Sequence, residues 1–129
     1  MAECVIDASA ILAILLDEPG RGIALEHVGG AAISTVTIAE VATKLADDGQ
    51  DLVEIQEVLN GFALAIHAFD SIEAFACAAL RAPTRSAGLS LGDRACLALA
   101  QRLGLPAVTA DRAWSDVADA AGVDVHQIR

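Results

Sequence analysis

Cysteine, histidine and lysine are all scarce in this 129-residue chain, and each scarcity removes a class of chemistry. Cys4, Cys77 and Cys96 stand singly among apolar residues with no C-x-x-C pair. Neither a zinc site nor a redox pair is signalled, and the expected state is three buried, reduced thiols. His27, His67 and His126 are equally scattered and never fall at metal-ligand spacing. Lys44 is the one lysine. With 8 Lys and Arg against 18 Asp and Glu, the formal net charge is −10. That balance argues against non-specific nucleic-acid binding, which needs cations to neutralise phosphates. Long apolar runs are missing too. The longest, such as Ala10 to Leu16, fall far short of the roughly 20 residues a membrane-spanning helix requires. The opening Met1 to Asp7 has no basic region and no apolar stretch, so no secretion signal is read and a cytoplasmic protein is expected.

What is present is apolar residue in quantity, 55% of the chain. That excludes intrinsic disorder. No linker, repeat or low-complexity segment divides the sequence, so residues 1–129 are read as one domain. Short apolar runs alternate with longer helical stretches. Strands are expected at Cys4 to Ile6, Ala31 to Ser34, Leu64 to Ala68, Pro106 to Thr109 and Val123 to Val125. Helices are expected at Ala8 to Asp17, Arg21 to Val28, Thr37 to Asp48, Leu52 to Phe62, Ser71 to Ala82, Gly92 to Leu103 and Trp114 to Ala121, with a loop over Thr84 to Leu89. Such alternation implies an α/β fold with a parallel sheet, whose ligands bind beyond the C-terminal ends of the strands.

Four acids fall at that edge. Asp7 follows a strand, Glu40 is placed in the first turn of its helix, Asp93 opens a helix, and Asp111 follows Val108-Thr109. Each has a purely structural explanation as a helix cap. Thr37-x-x-Glu40 and Ser90-x-x-Asp93 both fit the capping box. Together they have another. Helix starts that follow parallel strands share one edge of the sheet, and four carboxylates gathered there repel one another unless a cation intervenes. An all-oxygen donor set suits Mg²⁺ or Mn²⁺ rather than zinc.

These segments resemble a known family. Val5-Ile6-Asp7-Ala8-Ser9-Ala10, Asp17-Glu18-Pro19-Gly20, Ser34 to Val41, Leu89 to Ala100 and Leu105 to Trp114 are similar, in order and spacing, to the PIN-domain nucleases, and among them to the VapC-type toxins of bacterial toxin–antitoxin pairs. The resemblance implies a PIN-like three-layer α/β/α sandwich and Mg²⁺-dependent RNA cleavage, with Mn²⁺ as a substitute. It further implies a homodimer and neutralisation by a VapB-type antitoxin. Asp7, Glu40, Asp93 and Asp111 carry over as the acidic, metal-binding site, and Ser9 and Thr109 as hydroxyls that orient the acids or bound water. Many relatives have a further acid two residues after the last. Ala113 stands there, and Asp116 is read as a solvated helix residue.

With no histidine base in view, metal-activated water is the economical nucleophile, leaving a 5′-phosphate and a 3′-hydroxyl. Even two divalent cations leave the chain acidic, so RNA has to be held by local cations. Arg85, Arg94 and Arg112 are the candidates for phosphate contacts, with ordinary surface arginines as the alternative. Ala10, Ile11, Ile14 and Leu15, with Leu45, offer apolar surface that an antitoxin helix or second subunit would cover. A Mg²⁺-dependent aspartate-pocket phosphatase would want an Asp where Ser9 stands, and a receiver domain would want a lysine after a late strand. A non-catalytic PIN-like protein that only binds its partner is the rival from another class.

Overall fold

The computed structural model describes residues 1–129. In chain order the elements are β1 (Val5–Ile6), α1 (Ala8–Leu15), α2 (Arg21–Val28), β2 (Ala32–Ser34), α3 (Thr35–Asp47), α4 (Leu52–Asn60), β3 (Ala65–His67), α5 (Ser71–Ala79), a 3₁₀ turn (Arg85–Ala87), α6 (Leu91–Leu103), β4 (Ala107–Thr109), α7 (Ala113–Ala121) and β5 (Val125–Gln127). The five strands are parallel throughout, in the order β3-β2-β1-β4-β5. The chain builds outward from β1 to β3 on one side, then returns to add β4 and β5 on the other. The reversal falls between β1 and β4, and in an open parallel sheet that is where a crevice opens beyond the strand ends.

Both faces of the three inner strands are covered, so every residue of β1, β2 and β4 is buried, while the edge strands β3 and β5 are partly exposed. Ile6, Ile33 and Val108 point to one face, where they pack with Ile11 and Ile14 of α1 and Val41 and Leu45 of α3. Their neighbours Val5, Ala32 and Ala107 point to the other, against Cys96 and Leu99 of α6 and Trp114 and Val117 of α7. Ala32 and Ala107 are small, which allows α6 to lie close on the sheet. Every residue from Ala95 to Ala100 is buried as a result. The outcome is the α/β/α sandwich with a central parallel sheet.

Most elements fall within a few residues of their expected places, and two departures matter. The last strand is Val125–Gln127, not Val123 to Val125. Val123 is a core residue leaving the left-handed Gly122, and pairing with β4 (Ala107↔Val125, Thr109↔Gln127) sets the register instead. The expected apolar surplus is also misplaced. Ala10, Ile11, Ile14 and Leu45 are core residues and Leu15 packs against them, because α1 and α3 bury those faces on the sheet. The exposed apolar residues lie elsewhere, at Leu52, Val53 and Val58 of α4, Ile66 of β3, and Ile72 and Phe75 of α5.

The C-terminal segment is fastened to the loop after α1. Arg129 Nη1 donates to Pro19 O at 2.9 Å, and the Ile128 N–H donates to Thr109 O at 3.0 Å. Gly20 lies beneath it with φ of 94°, and a Cβ there would stand 2.5 Å from the Ile128 carbonyl oxygen. Gly20→Ala therefore combines a left-handed alanine with a clash against main chain. It should destabilise the fold by at least ~1–2 kcal/mol, the cost of the backbone conformation alone. A urea-denaturation midpoint unchanged from wild type would refute this packing.

Candidate active site

At the switch between β1 and β4 the strand ends deliver hydroxyls and a carboxylate to one point. Asp7 leaves β1 directly and occupies the N-cap position of α1, yet its side chain caps nothing. Instead Oδ2 accepts from Ser9 Oγ at 2.7 Å and from Thr109 Oγ1 at 2.8 Å. Each hydroxyl has one proton, given to Asp7, and each then accepts from the main chain: Ser9 Oγ from the Ala110 N–H at 2.9 Å, Thr109 Oγ1 from the Asp111 N–H at 3.0 Å. This lattice joins the starts of two loops and fixes a carboxylate that is only 4% exposed. Burial pushes the Asp7 pKa up, the two hydroxyls hold it down, and the charge of Asp93 pushes it up again.

Glu40 approaches from the other side. α3 begins at Thr35, with Ser34 as its N-cap and Ser34 Oγ accepting from the Val36 N–H at 3.2 Å. The first hydroxyl after the strand takes the cap. Thr37, expected in that role, is instead fully buried with Oγ1 unpaired. Glu40 consequently lies in the second turn of α3, not the first. Its side chain reaches solvent, but the carboxylate rests on Gly92 at the start of α6, where any Cβ would overlap it. Its pKa rises from 4.5 to about 7, through desolvation first and then the charges of Asp7 and Asp93.

Asp93 closes the expected capping box. Ser90 Oγ accepts from the Asp93 N–H at 3.2 Å, and Asp93 Oδ2 accepts from the Ser90 N–H at 2.9 Å. Asp111 closes a turn just ahead of α7, with Oδ1 accepting from the Ala113 N–H at 2.9 Å. The charge of Asp93 thus acts on Asp7, and those of Asp7 and Asp93 on Glu40, while Asp111 joins Asp7 through the main chain and Thr109. Each aspartate has one oxygen engaged within the chain and one with no partner in it. Below them Cys96 is fully buried, its thiol pushed well above the ordinary range by burial and by Asp7, Asp93 and Glu40. All three cysteines are buried and unpaired.

The arginines divide. Arg94 Nη1 donates to the Cys77 carbonyl of α5 at 3.1 Å, which ties that guanidinium to the packing of α6 on α5. Arg85, on the 3₁₀ turn, and Arg112, ahead of α7, are exposed and form no ion pair. Asp116 is exposed in the first turn of α7. One residue of this edge escaped the sequence reading: Gln127 of β5, whose Nε2 donates to Asp111 O at 2.7 Å. Its only sequence signal lay in a C-terminal stretch too polar to read as strand.

The donor set fits a hard divalent cation. It is all oxygen, and opposite charge would offset the repulsion from Asp7 and Asp93 that adds to desolvation in raising Glu40. No three side chains converge closely enough to enclose an ion directly. Mg²⁺ does not require that, since it keeps several waters and takes one or two carboxylates.

The family profile described as PIN domain matches residues 4–120. No curated protein matches the sequence at a significant level. Among solved structures the chain is similar to a toxin–antitoxin complex from Klebsiella pneumoniae (TM-score 0.75, 21% identity, 98% of each chain covered). It is also similar to DNA-bound VapBC from Salmonella typhimurium (TM-score 0.73, 19% identity, 100% of each chain). FitAcB from Neisseria gonorrhoeae has the same fold (TM-score 0.67, 20% identity, 97% of each chain). At these identities the fold is what is shared.

The seat of Glu40 can be removed without disturbing the helix. Gly92→Ala should leave metal-free stability unchanged or raise it by up to about 0.5–1 kcal/mol through helix propensity, while weakening Mn²⁺ binding several-fold. Titration calorimetry giving wild-type Mn²⁺ affinity would refute the contact. The titration of Glu40 has its own signature. Between 4.5 and about 7 the unfolded chain has lost the proton and the folded chain has kept it, so this group costs stability as pH rises through that window. In EDTA, Glu40→Gln should therefore gain on wild type in urea midpoint from pH 5 to pH 8; a gap that stays constant would exclude the shift.

Proposed function

The chain belongs to the PIN domain family, and on that premise we propose that it is a Mg²⁺-dependent endoribonuclease, the toxin of a VapBC-type pair. The observation that carries the proposal is the placement of Asp7, Glu40 and Asp93 at the open end of a parallel sheet, where the charge of Asp93 adds to burial in raising Asp7 and the charges of Asp7 and Asp93 add to desolvation in raising Glu40. Glu40 caps nothing, and Asp7 sits at a cap position without using it.

A divalent cation held by Asp7, Glu40, Asp93 and Asp111, with Mn²⁺ as a substitute, would offset the charge of a phosphodiester and acidify a water for attack. The chain's own part is positioning. Ser9 and Thr109 hold Asp7 Oδ2 and so fix where Oδ1 stands. The α6 capping box does the same for Asp93. Glu40 must give up its proton to serve as a ligand, so cation affinity rises as pH climbs toward 8. Arg85 and Arg112 are the exposed cations available to substrate phosphates on an otherwise acidic chain.

The antitoxin reading has its own support. Ile38 and Ala42 of α3, Leu52, Ile55 and Leu59 of α4, and Ile66 of β3 line an open, mainly apolar groove of about 370 Å³. An amphipathic helix is the natural occupant of such a groove. Nothing in the chain crosses a membrane as a helix, and a cytoplasmic homodimer acting as one domain over residues 1–129 is the corresponding assembly. The aspartate-pocket alternatives lack their parts: Ser9 is bonded to Asp7 Oδ2, and Lys44 is paired with Asp48 at 3.6 Å.

Purified protein with Mg²⁺ should cut total cellular RNA into discrete products bearing 5′-phosphates and 3′-hydroxyls. EDTA should abolish the reaction, and Asp7→Asn should slow it by roughly 10²-fold or more, as for loss of a group that stabilises transition-state charge. Because Asn relieves a buried charge, the variant should melt no lower than wild type. Cyclic-phosphate ends would overturn the mechanism. Metal binding by folded, antitoxin-free protein without any cleavage would favour a partner-binding role alone.

A further inference from the structure

Asp111 is held more firmly than an exposed loop residue needs to be. Its N–H donates to Thr109 Oγ1 at 3.0 Å, its carboxylate Oδ1 accepts from the Ala113 N–H at 2.9 Å, and its carbonyl accepts from Gln127 Nε2 at 2.7 Å. The first two partners are neighbours in sequence. The third comes from the edge strand β5, where Gln127 pairs in register with Thr109. The same Nε2 also donates to Ser115 Oγ of α7 at 3.0 Å. The amide cannot be reversed, since that would set Oε1 against the Asp111 carbonyl oxygen, acceptor against acceptor. Oε1 itself is buried and meets no donor in the chain. Gln127 therefore accepts an unsatisfied acceptor in order to keep its donor end on Asp111 and Ser115. The Asp111 carbonyl also accepts from the Trp114 N–H at 3.2 Å, so what the Gln127 bond adds is a second donor, from another strand, that fixes its geometry.

We infer that Gln127 is a positioning residue for Asp111: from β5 its side-chain amide clamps the Asp111 peptide and so fixes where that carboxylate stands relative to Asp7. The inference rests on the acidic-site reading above and adds to it a residue outside the acids and hydroxyls. Thr109 then anchors both halves of the site, since its Oγ1 holds Asp7 Oδ2 while its strand neighbour Gln127 holds Asp111. Partners of this kind, one bond removed from a ligand, are worth roughly 10–100-fold in metal affinity or activity.

The test uses the full chain, free of antitoxin, with Mn²⁺ as the probe. Gln127→Met keeps the length and removes the donor. Gln127→Thr keeps a strand-forming residue too short to reach Asp111, and stands in should the first variant not fold. Ser115→Ala removes the other partner of Nε2 and leaves the Asp111 bond. Calorimetry should show Mn²⁺ binding weakened roughly 10–100-fold in the Gln127 variants and within twofold of wild type in Ser115→Ala. Melting temperatures in EDTA should move little, and RNA cleavage lost at low Mn²⁺ should return as Mn²⁺ is raised. Wild-type Mn²⁺ affinity in a folded Gln127 variant would overturn the inference while leaving the nuclease reading intact. A wild-type protein that binds no Mn²⁺, or binds it equally well after Asp7→Asn, would remove the acidic site and this inference with it.

Discussion

Everything at the open end of the sheet depends on keeping a carboxylate where the fold is otherwise apolar. Asp7 stands between Ile6 and Ala8 at the centre of a sheet whose inner strands are buried on both faces. A carboxylate there loses its water, and an unpaired buried charge is among the costliest things a domain can hold. The fold offers no cation of its own to it. Two hydroxyls bring partial compensation, and with their protons given to Asp7 their oxygens accept from the Ala110 and Asp111 N–H groups of the loop after β4. The stability of one side chain is thereby tied to the exact meeting of β1 and β4, the strand pair at the topological reversal.

The small residues beneath follow from the same requirement. For Glu40 and Asp93 to feel Asp7, the starts of α3 and α6 must come close to the end of β1. Ala32 and Ala107 let α6 sit low on the sheet, and Gly92 leaves room at its first turn for the Glu40 carboxylate. A larger residue at any of these places fits the hydrophobic pattern and moves an acid.

The sequence made the fold readable because α/β alternation is written in apolar periodicity, and strand-to-helix junctions at Asp7 and Asp111 lie on one edge by topology alone. Asp93 was legible as a helix start through Ser90 and its box. Less could be read for Glu40. Thr37 reads as the cap, and only strand pairing with β1 and β3 decides that β2 ends at Ser34, which takes the cap instead. Gln127 was out of reach for a related reason. β5 is recruited by pairing with β4, so nothing local in Val125-His126-Gln127 announces a strand or says which side chain faces Asp111. The excess apolar surface failed differently. Periodicity finds the apolar face of α1, but which faces are covered depends on the layer above, and that is tertiary information.

Capping and cation binding looked like competing explanations for these acids, and the structure shows why they do not compete. A carboxylate has two oxygens. Asp93 gives Oδ2 to Ser90, Asp111 gives Oδ1 to Ala113, and Asp7 gives Oδ2 to Ser9 and Thr109. In each case the engaged oxygen fixes the rotamer, and the other is left where the first has placed it. A free carboxylate would have to lose its rotamer freedom on binding a cation, whereas these have already lost it in folding. The structural role is then a precondition of the proposed chemical one. Glu40, which has no internal bond, is held by contact with Gly92 and by repulsion from two neighbours, so its position is the one most open to change when opposite charge arrives.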